Sequence, residues 1–143
     1  MATKLQVVID CADPARLAAF WAAAIHYQIQ DPPPGHDSWE AFLVSQGVPE
    51  EEWNSASGVV DPDGVGPRLF FQRVPEPKTV KNRLHLDLNQ GGPETPRDER
   101  RRRVDAEAER LKGLGASELY RMERHGEYWV TMADPEGNEF CVQ

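Results

Sequence analysis

Cysteine is scarce: Cys11 and Cys141 are the only two in 143 residues, and their spacing fits neither a disulfide framework nor a Cys-rich zinc module. In a reducing compartment each reads as a thiol set partly into the core. No stretch approaches the roughly 20 consecutive apolar residues of a membrane-spanning helix, and Met1-Ala2-Thr3-Lys4 runs into a strand-like segment with no apolar leader. These absences predict a cytoplasmic protein that does not enter membranes. Positive charge is in deficit, with 16 Lys and Arg against 24 Asp and Glu for a net charge of −8. A general binder of nucleic acid or of anionic lipid needs a cationic face, so both classes are disfavoured. The one basic run, Arg100-Arg101-Arg102-Arg103, is flanked by Asp98, Glu99, Asp105, Glu107 and Glu109. It reads as a solvated helix face with i,i+4 ion pairs.

What is present is a folded chain built from a repeated signal. A hydrophobic content of 39% with four Trp and five Phe supports a core, and the length suits one domain of residues 1–143 or two small modules that share a core. Asp61-Pro62-Asp63-Gly64 and Asp134-Pro135-Glu136-Gly137 are two turns of one type, each followed by an apolar strand-like run. Proline presets φ, Asp caps the turn and glycine supplies a positive φ. Repetition of such a unit predicts architecture before any site is considered.

Taken in order, Lys4 to Asp10 reads as a buried strand. Asp13 caps a helix with Pro14 at its first position, and Leu17, Phe20, Trp21, Ala24 and Ile25 form its apolar stripe. Tyr27–Gln30 and Trp39–Ser45 read as strands. The stretch from Gln46 to Pro67 reads as a long polar loop with one helical turn at Glu50-Glu51-Glu52-Trp53, and a connection of that length suggests a lid. Arg68–Val74 is the next strand, and Pro75-Glu76-Pro77-Lys78 is a linker. Arg83–Asn89 alternates strictly, with Leu84, Leu86 and Leu88 on one face and Arg83, His85, Asp87 and Asn89 on the other. A helix from Arg97 to Leu114 buries Val104, Ala108, Leu111 and Leu114, and three strands follow at Glu118–Arg124, Tyr128–Ala133 and Glu139–Val142. The expected fold is therefore α+β: tandem βαβββ modules, about residues 1–77 and 78–143, forming cupped mixed sheets with helices outside and a concave face between them.

The order of Asp13-Pro14-Ala15-Arg16-Leu17-Ala18-Ala19-Phe20-Trp21, Asn82-Arg83-Leu84-His85-Leu86-Asp87-Leu88 and Asp134-Pro135-Glu136-Gly137-Asn138-Glu139-Phe140-Cys141 resembles the vicinal oxygen chelate superfamily. That group includes glyoxalase I, the bleomycin and fosfomycin resistance proteins and the extradiol dioxygenases. The sequence is most similar to its glyoxalase-like domain branch. The resemblance implies a divalent-metal position on the first, fourth, fifth and eighth strands. These positions fall on Gln6, in Leu69–Gln72 where Gln72 is the candidate ligand, on His85, and on Cys141, where the superfamily ordinarily has Glu. It also implies a homodimer, since small two-module chains of this group commonly pair.

One His, two amides and a thiol make a poor shell for a hard catalytic ion. Two other sets stand beside it: His85, Asp87 and Glu139 on one face, or a soft His85/Cys141 pair for zinc. The same residues read equally well as cavity lining, with Trp39, Phe70 and Trp129 as aromatic walls around Gln6, Gln72, His85, Asp87, Glu139 and Cys141. The sequence thus predicts a small-organic-molecule binder without a tightly held cofactor, serving sequestration or resistance. A divalent-metal-dependent lyase, isomerase or dioxygenase is the alternative.

Overall fold

The computed structural model describes residues 1–143, which divide into two compact units, Met1–Pro77 and Lys78–Gln143. The first unit runs β1 (Val7–Cys11), α1 (Pro14–Ile25), β2 (Gln28–Ile29), α2 (Trp39–Ser45), a 3₁₀ turn (Glu50–Glu52), β3 (Ala56–Val60) and β4 (Leu69–Arg73). The second runs β5 (Asp87–Leu88), α3 (Arg97–Leu114), β6 (Ser117–Arg124), β7 (Glu127–Ala133) and β8 (Glu139–Val142). Each unit forms a four-stranded mixed sheet, and the orders are equivalent: β1-β4-β3-β2 and β5-β8-β7-β6. In each, the first strand pairs in parallel with the last, and the other pairs are antiparallel. The α+β architecture of tandem βαβββ units is therefore as the repeated turns predict.

Those turns are alike in detail. The Gly64 N–H donates to the Asp61 carbonyl at 3.0 Å and the Gly137 N–H to that of Asp134 at 2.9 Å, with φ of 68° and 86°. Each Asp carboxylate also collects the backbone N–H groups ahead of it, from Asp63, Val65 and Gly66 in one turn and from Glu136 and Asn138 in the other. Positive φ is what makes glycine the favoured fourth residue.

One helix covers one face of each sheet. Leu17, Ala18, Phe20 and Trp21 of α1 are buried, as are Val59, Leu69 and Phe71 of the sheet beneath. In the second unit Val104, Ala108 and Leu111 of α3 are buried, with Val130, Met132, Phe140 and Val142 below them. Burial of a side chain such as Leu111 contributes about 2 kcal/mol. Because strand side chains alternate, the other face carries Asp10, Phe70 and Gln72 in the first unit and Asp87, Trp129, Thr131, Glu139 and Cys141 in the second.

The structure corrects several sequence expectations. Trp39–Ser45 is a helix, not a strand: the Ser38 hydroxyl accepts the Ala41 N–H at 3.0 Å and Glu40 stands in the first turn, an N-terminal arrangement that outweighs the apolar run. The stretch 46–67 is no structureless lid, since β3 lies inside it and occupies an interior position in the sheet. Trp53 is tied locally, its indole N–H donating to the Val48 carbonyl at 3.0 Å. The strand expected over Arg83–Asn89 shrinks to Asp87–Leu88, and Leu84 is 72% exposed. Leu114 is exposed rather than part of the α3 stripe. The first strand begins at Val7, leaving Lys4, Leu5 and Gln6 outside it.

No helix is long and apolar enough to cross a membrane. The arginine run lies on α3, where Arg103 pairs with Glu99 one turn back and Arg101 meets Glu123 at 2.8 Å.

Candidate functional site

In the first unit the predicted residues are each engaged with other neighbours. Arg68 links them: its Nη1 donates to Gln6 Oε1 at 2.9 Å and its Nε to Gln30 Oε1 at 2.7 Å, while its guanidinium lies 4.9 Å from the centre of the Phe70 ring. Gln72 donates through Nε2 to Asp10 Oδ1 at 3.2 Å. Trp39, carried by α2, donates its indole N–H to the Gln30 carbonyl at 2.7 Å and packs edge-on against Phe42. The Gln6 amide oxygen and the Gln72 amide nitrogen are thus satisfied by neighbours within their own unit.

The second unit gathers the rest. His85 lies two residues before Asp87, just outside β5, with its Nε2 3.3 Å from Asp87 Oδ1. Asp87 stands directly opposite Cys141 in the parallel β5–β8 ladder. One potential ligand atom from each of His85, Asp87 and Cys141 falls within 4.8 Å of the other two. Cys141 is buried and its sulfur lies 3.5 Å from the Thr131 hydroxyl. Burial pushes this thiol above its ordinary range, and the Asp87 charge adds to the effect. Glu139 is withdrawn from the group by an ion pair with Lys81.

These side chains line one side of a concavity of about 360 Å³ whose apolar wall includes Trp129 and Tyr120. Other concavities, near the start of α3, have charged linings in which Arg101 pairs with Glu123 at 2.8 Å and Arg100 lies 3.9 Å from Glu127.

A family model described as "Glyoxalase-like domain" matches residues 6–143. The chain belongs to the glyoxalase-like domain family. Solved structures of similar fold include a possible glyoxalase from Bacillus cereus, 16% identical, with a TM-score of 0.59 over 100% of this chain and 99% of that one. A variant of the fosfomycin resistance protein FosX from Listeria monocytogenes, complexed with Mn(II) and a dihydroxypropylphosphonic acid, is 13% identical with a TM-score of 0.62 over 100% and 90%. The bleomycin-binding protein of Streptomyces verticillus, complexed with copper(II)-bleomycin, is 13% identical with a TM-score of 0.55 over 100% and 96%. A search of curated proteins finds no relative of this glyoxalase-like domain.

Whether the glyoxalase-like domain suits a divalent ion is a matter of donor chemistry. Hard ions such as Mn²⁺ are best served by oxygen. His85, Asp87 and Cys141 offer one nitrogen, one oxygen and one sulfur, which fits a borderline ion of the zinc type and leaves a fourth position open.

Four polar or aromatic contributors are absent from the sequence prediction. Asp10 faces Gln72 across the β1–β4 ladder as Asp87 faces Cys141 across β5–β8. Aligning Val8-Ile9-Asp10 with His85-Leu86-Asp87 as equivalent strands gives that signal. Thr131, Tyr120 and Lys81 join the concavity through register and through a non-strand segment, and no local motif announces them.

Proposed function

We propose that this glyoxalase-like protein binds a small organic molecule in the concavity of its second unit and serves sequestration or resistance. The observation that carries this reading is the pairing in one concavity of an aromatic wall, Trp129 and Tyr120, with a few polar groups at His85, Asp87 and Cys141. Such a division suits a flat or bulky ligand: apolar area supplies affinity and convergent polar groups fix orientation. Asp87 favours a ligand with a cationic or hydrogen-bond-donating substituent. The fold shared with a bleomycin-binding protein supports the same reading. The test is a screen of aromatic natural products and hydrophobic cations in excess chelator, followed by Trp fluorescence and thermal unfolding. A true ligand raises the melting temperature, and Trp129→Ala weakens its binding tenfold or more. Absence of any stabilising compound, or indifference to Trp129→Ala, counts against the reading.

A divalent-metal-dependent lyase, isomerase or dioxygenase is the second reading, favoured by the nitrogen, oxygen and sulfur donors grouped at His85, Asp87 and Cys141. Turnover or ligand stabilisation that appears only when metal is restored selects it over sequestration.

The protein is further proposed to pair as a homodimer. Strand β6 stands at a sheet edge and exposes Leu119, Tyr120 and Met122, and unprotected edges of this kind favour association. A monomer mass by light scattering at tens of micromolar rules this out.

A further inference from the structure

We infer that Arg97 and Arg100, on successive turns of α3, form a binding site for a phosphate group, free or esterified, in a concavity separate from that of the organic ligand. Such a site goes beyond the ligand-binding reading and stands without it.

The concavity holds about 700 Å³, and its lining includes Gly91, Gly92, Pro93, Arg97, Arg100 and Glu127. It has no lining residue in common with the concavity of Trp129 and Cys141. Residues three apart on a helix are neighbours on its surface, so the two arginines leave α3 side by side. The backbone of a different loop then places each one. Arg97 rests on the turn between β6 and β7: a Cβ at Gly126 would lie 2.9, 3.0 and 3.1 Å from its Nη2, Cζ and Nη1. These near-equal distances set the guanidinium face-on in the space that a side chain would fill. Among the described residues none gives Arg97 a hydrogen bond or an ion pair. Arg100 is tied down through Nη2, which donates to the Gly92 carbonyl at 2.7 Å. Its Nε is enclosed without a partner, and Nη1 lies 3.9 Å from the Glu127 carboxylate, beyond hydrogen-bonding distance. Two anchored guanidiniums therefore border one space with donors unused. A phosphate group answers both, because its charged oxygens accept several charge-assisted hydrogen bonds at once. Glu127 is the one acid in the lining, and its side chain is 71% exposed. It can turn into water when an anion enters.

The test titrates the full chain with inorganic phosphate and with glycerol 2-phosphate at low, constant ionic strength and about pH 8, where phosphate is a dianion. Binding is read by phosphorus NMR and calorimetry, with acetate as the carboxylate comparison. One saturable site with a Kd of about 1 mM or below is expected, with acetate weaker by tenfold or more. Both phosphates should bind, and the tighter one identifies the source of the group. Arg97→Gln alters an exposed side chain without a partner and is expected to fold; it should weaken both phosphates tenfold or more. Glu127→Gln should tighten them, a change of opposite sign that damage to the fold would not produce. Arg102, exposed on the same helix and outside the concavity, supplies the control, and Arg102→Gln should leave affinity unchanged. Absence of saturable binding, unaltered affinity in Arg97→Gln, an equal loss in Arg102→Gln, weaker binding in Glu127→Gln, or acetate bound as tightly as phosphate would each overturn the inference.

Discussion

At Asp13 one carboxylate oxygen accepts both the Arg16 N–H at 3.2 Å and the Asn54 side-chain amide at 2.8 Å. Asn54 in turn accepts the Ala15 N–H through Oδ1 at 2.8 Å, so two side chains satisfy the start of α1. Loss of an N-cap typically costs about 1 kcal/mol, and Asp13→Ala should lower stability by about that amount in urea unfolding at pH 7. The Asn54 and Arg16 hydrogen bonds hold this carboxyl below its ordinary value of 3.8. Its contribution is therefore full above that value and is lost as pH falls through it to the lower native one. The gap between parent and Asp13→Ala should accordingly narrow from pH 7 to pH 3; a constant gap would exclude the linkage. Asp13 was legible because Asp-Pro before an apolar stripe has a local cause. The second-unit candidates were legible for a similar reason, since alternation alone puts His85 with Asp87 and Glu139 with Cys141. The partner of each pair was not, because only the strand ladder places Asp87 opposite Cys141 and Asp10 opposite Gln72.

Among the elements, β3 was the one most thoroughly concealed by its sequence. Ala56-Ser57-Gly58-Val59-Val60 is short and opens with small residues, yet it runs between β2 and β4. Gly58 accounts for part of the disguise: a Cβ at that position would lie 2.9 Å from both Arg68 Nη2 and Gln30 Oε1. The arginine that joins Gln6, Gln30 and Phe70 thus crosses the strand where a side chain would stand. Gly58→Val should displace the ends of the flexible Arg68 and Gln30 side chains and destabilise the first unit by about 0.5–1.5 kcal/mol, the usual worth of the Arg68–Gln30 hydrogen bond it breaks. Denaturant midpoints measure this, and a change below about 0.5 kcal/mol would mean that Arg68 swings away at little cost. By contrast α1 falls where its Asp13 cap and apolar stripe predict, and α3 where Val104, Ala108 and Leu111 do, because helix signals are local. Strand β5 is shorter than its seven-residue alternation suggests, since pairing with β8 reaches only Asp87 and Leu88.

For the whole molecule, repetition of the Asp-Pro-x-Gly turn disclosed the architecture, and both sheets have the corresponding strand order. In each unit the first strand has one partner, and that partner is the last strand. Amides in the β1–β4 and β5–β8 ladders should therefore exchange with deuterium before those joining β7 to β8, as measured by NMR or mass spectrometry. Simultaneous exchange of all these ladders would contradict that order. The same connectivity bears on how the protein is made. Asp10 must meet a residue 62 positions later, and Asn89 meets Gln143 across 54. Such distant encounters carry the entropy of closing a long loop before any contact repays it. The antiparallel strands β6 and β7, joined by the short His125-Gly126 turn, can assemble early, whereas β1 and β5 have no place to dock until β4 and β8 exist. During synthesis, then, the beginning of each unit waits as an unpaired strand, and it is in this interval that the chain is most open to aggregation or to capture by a chaperone.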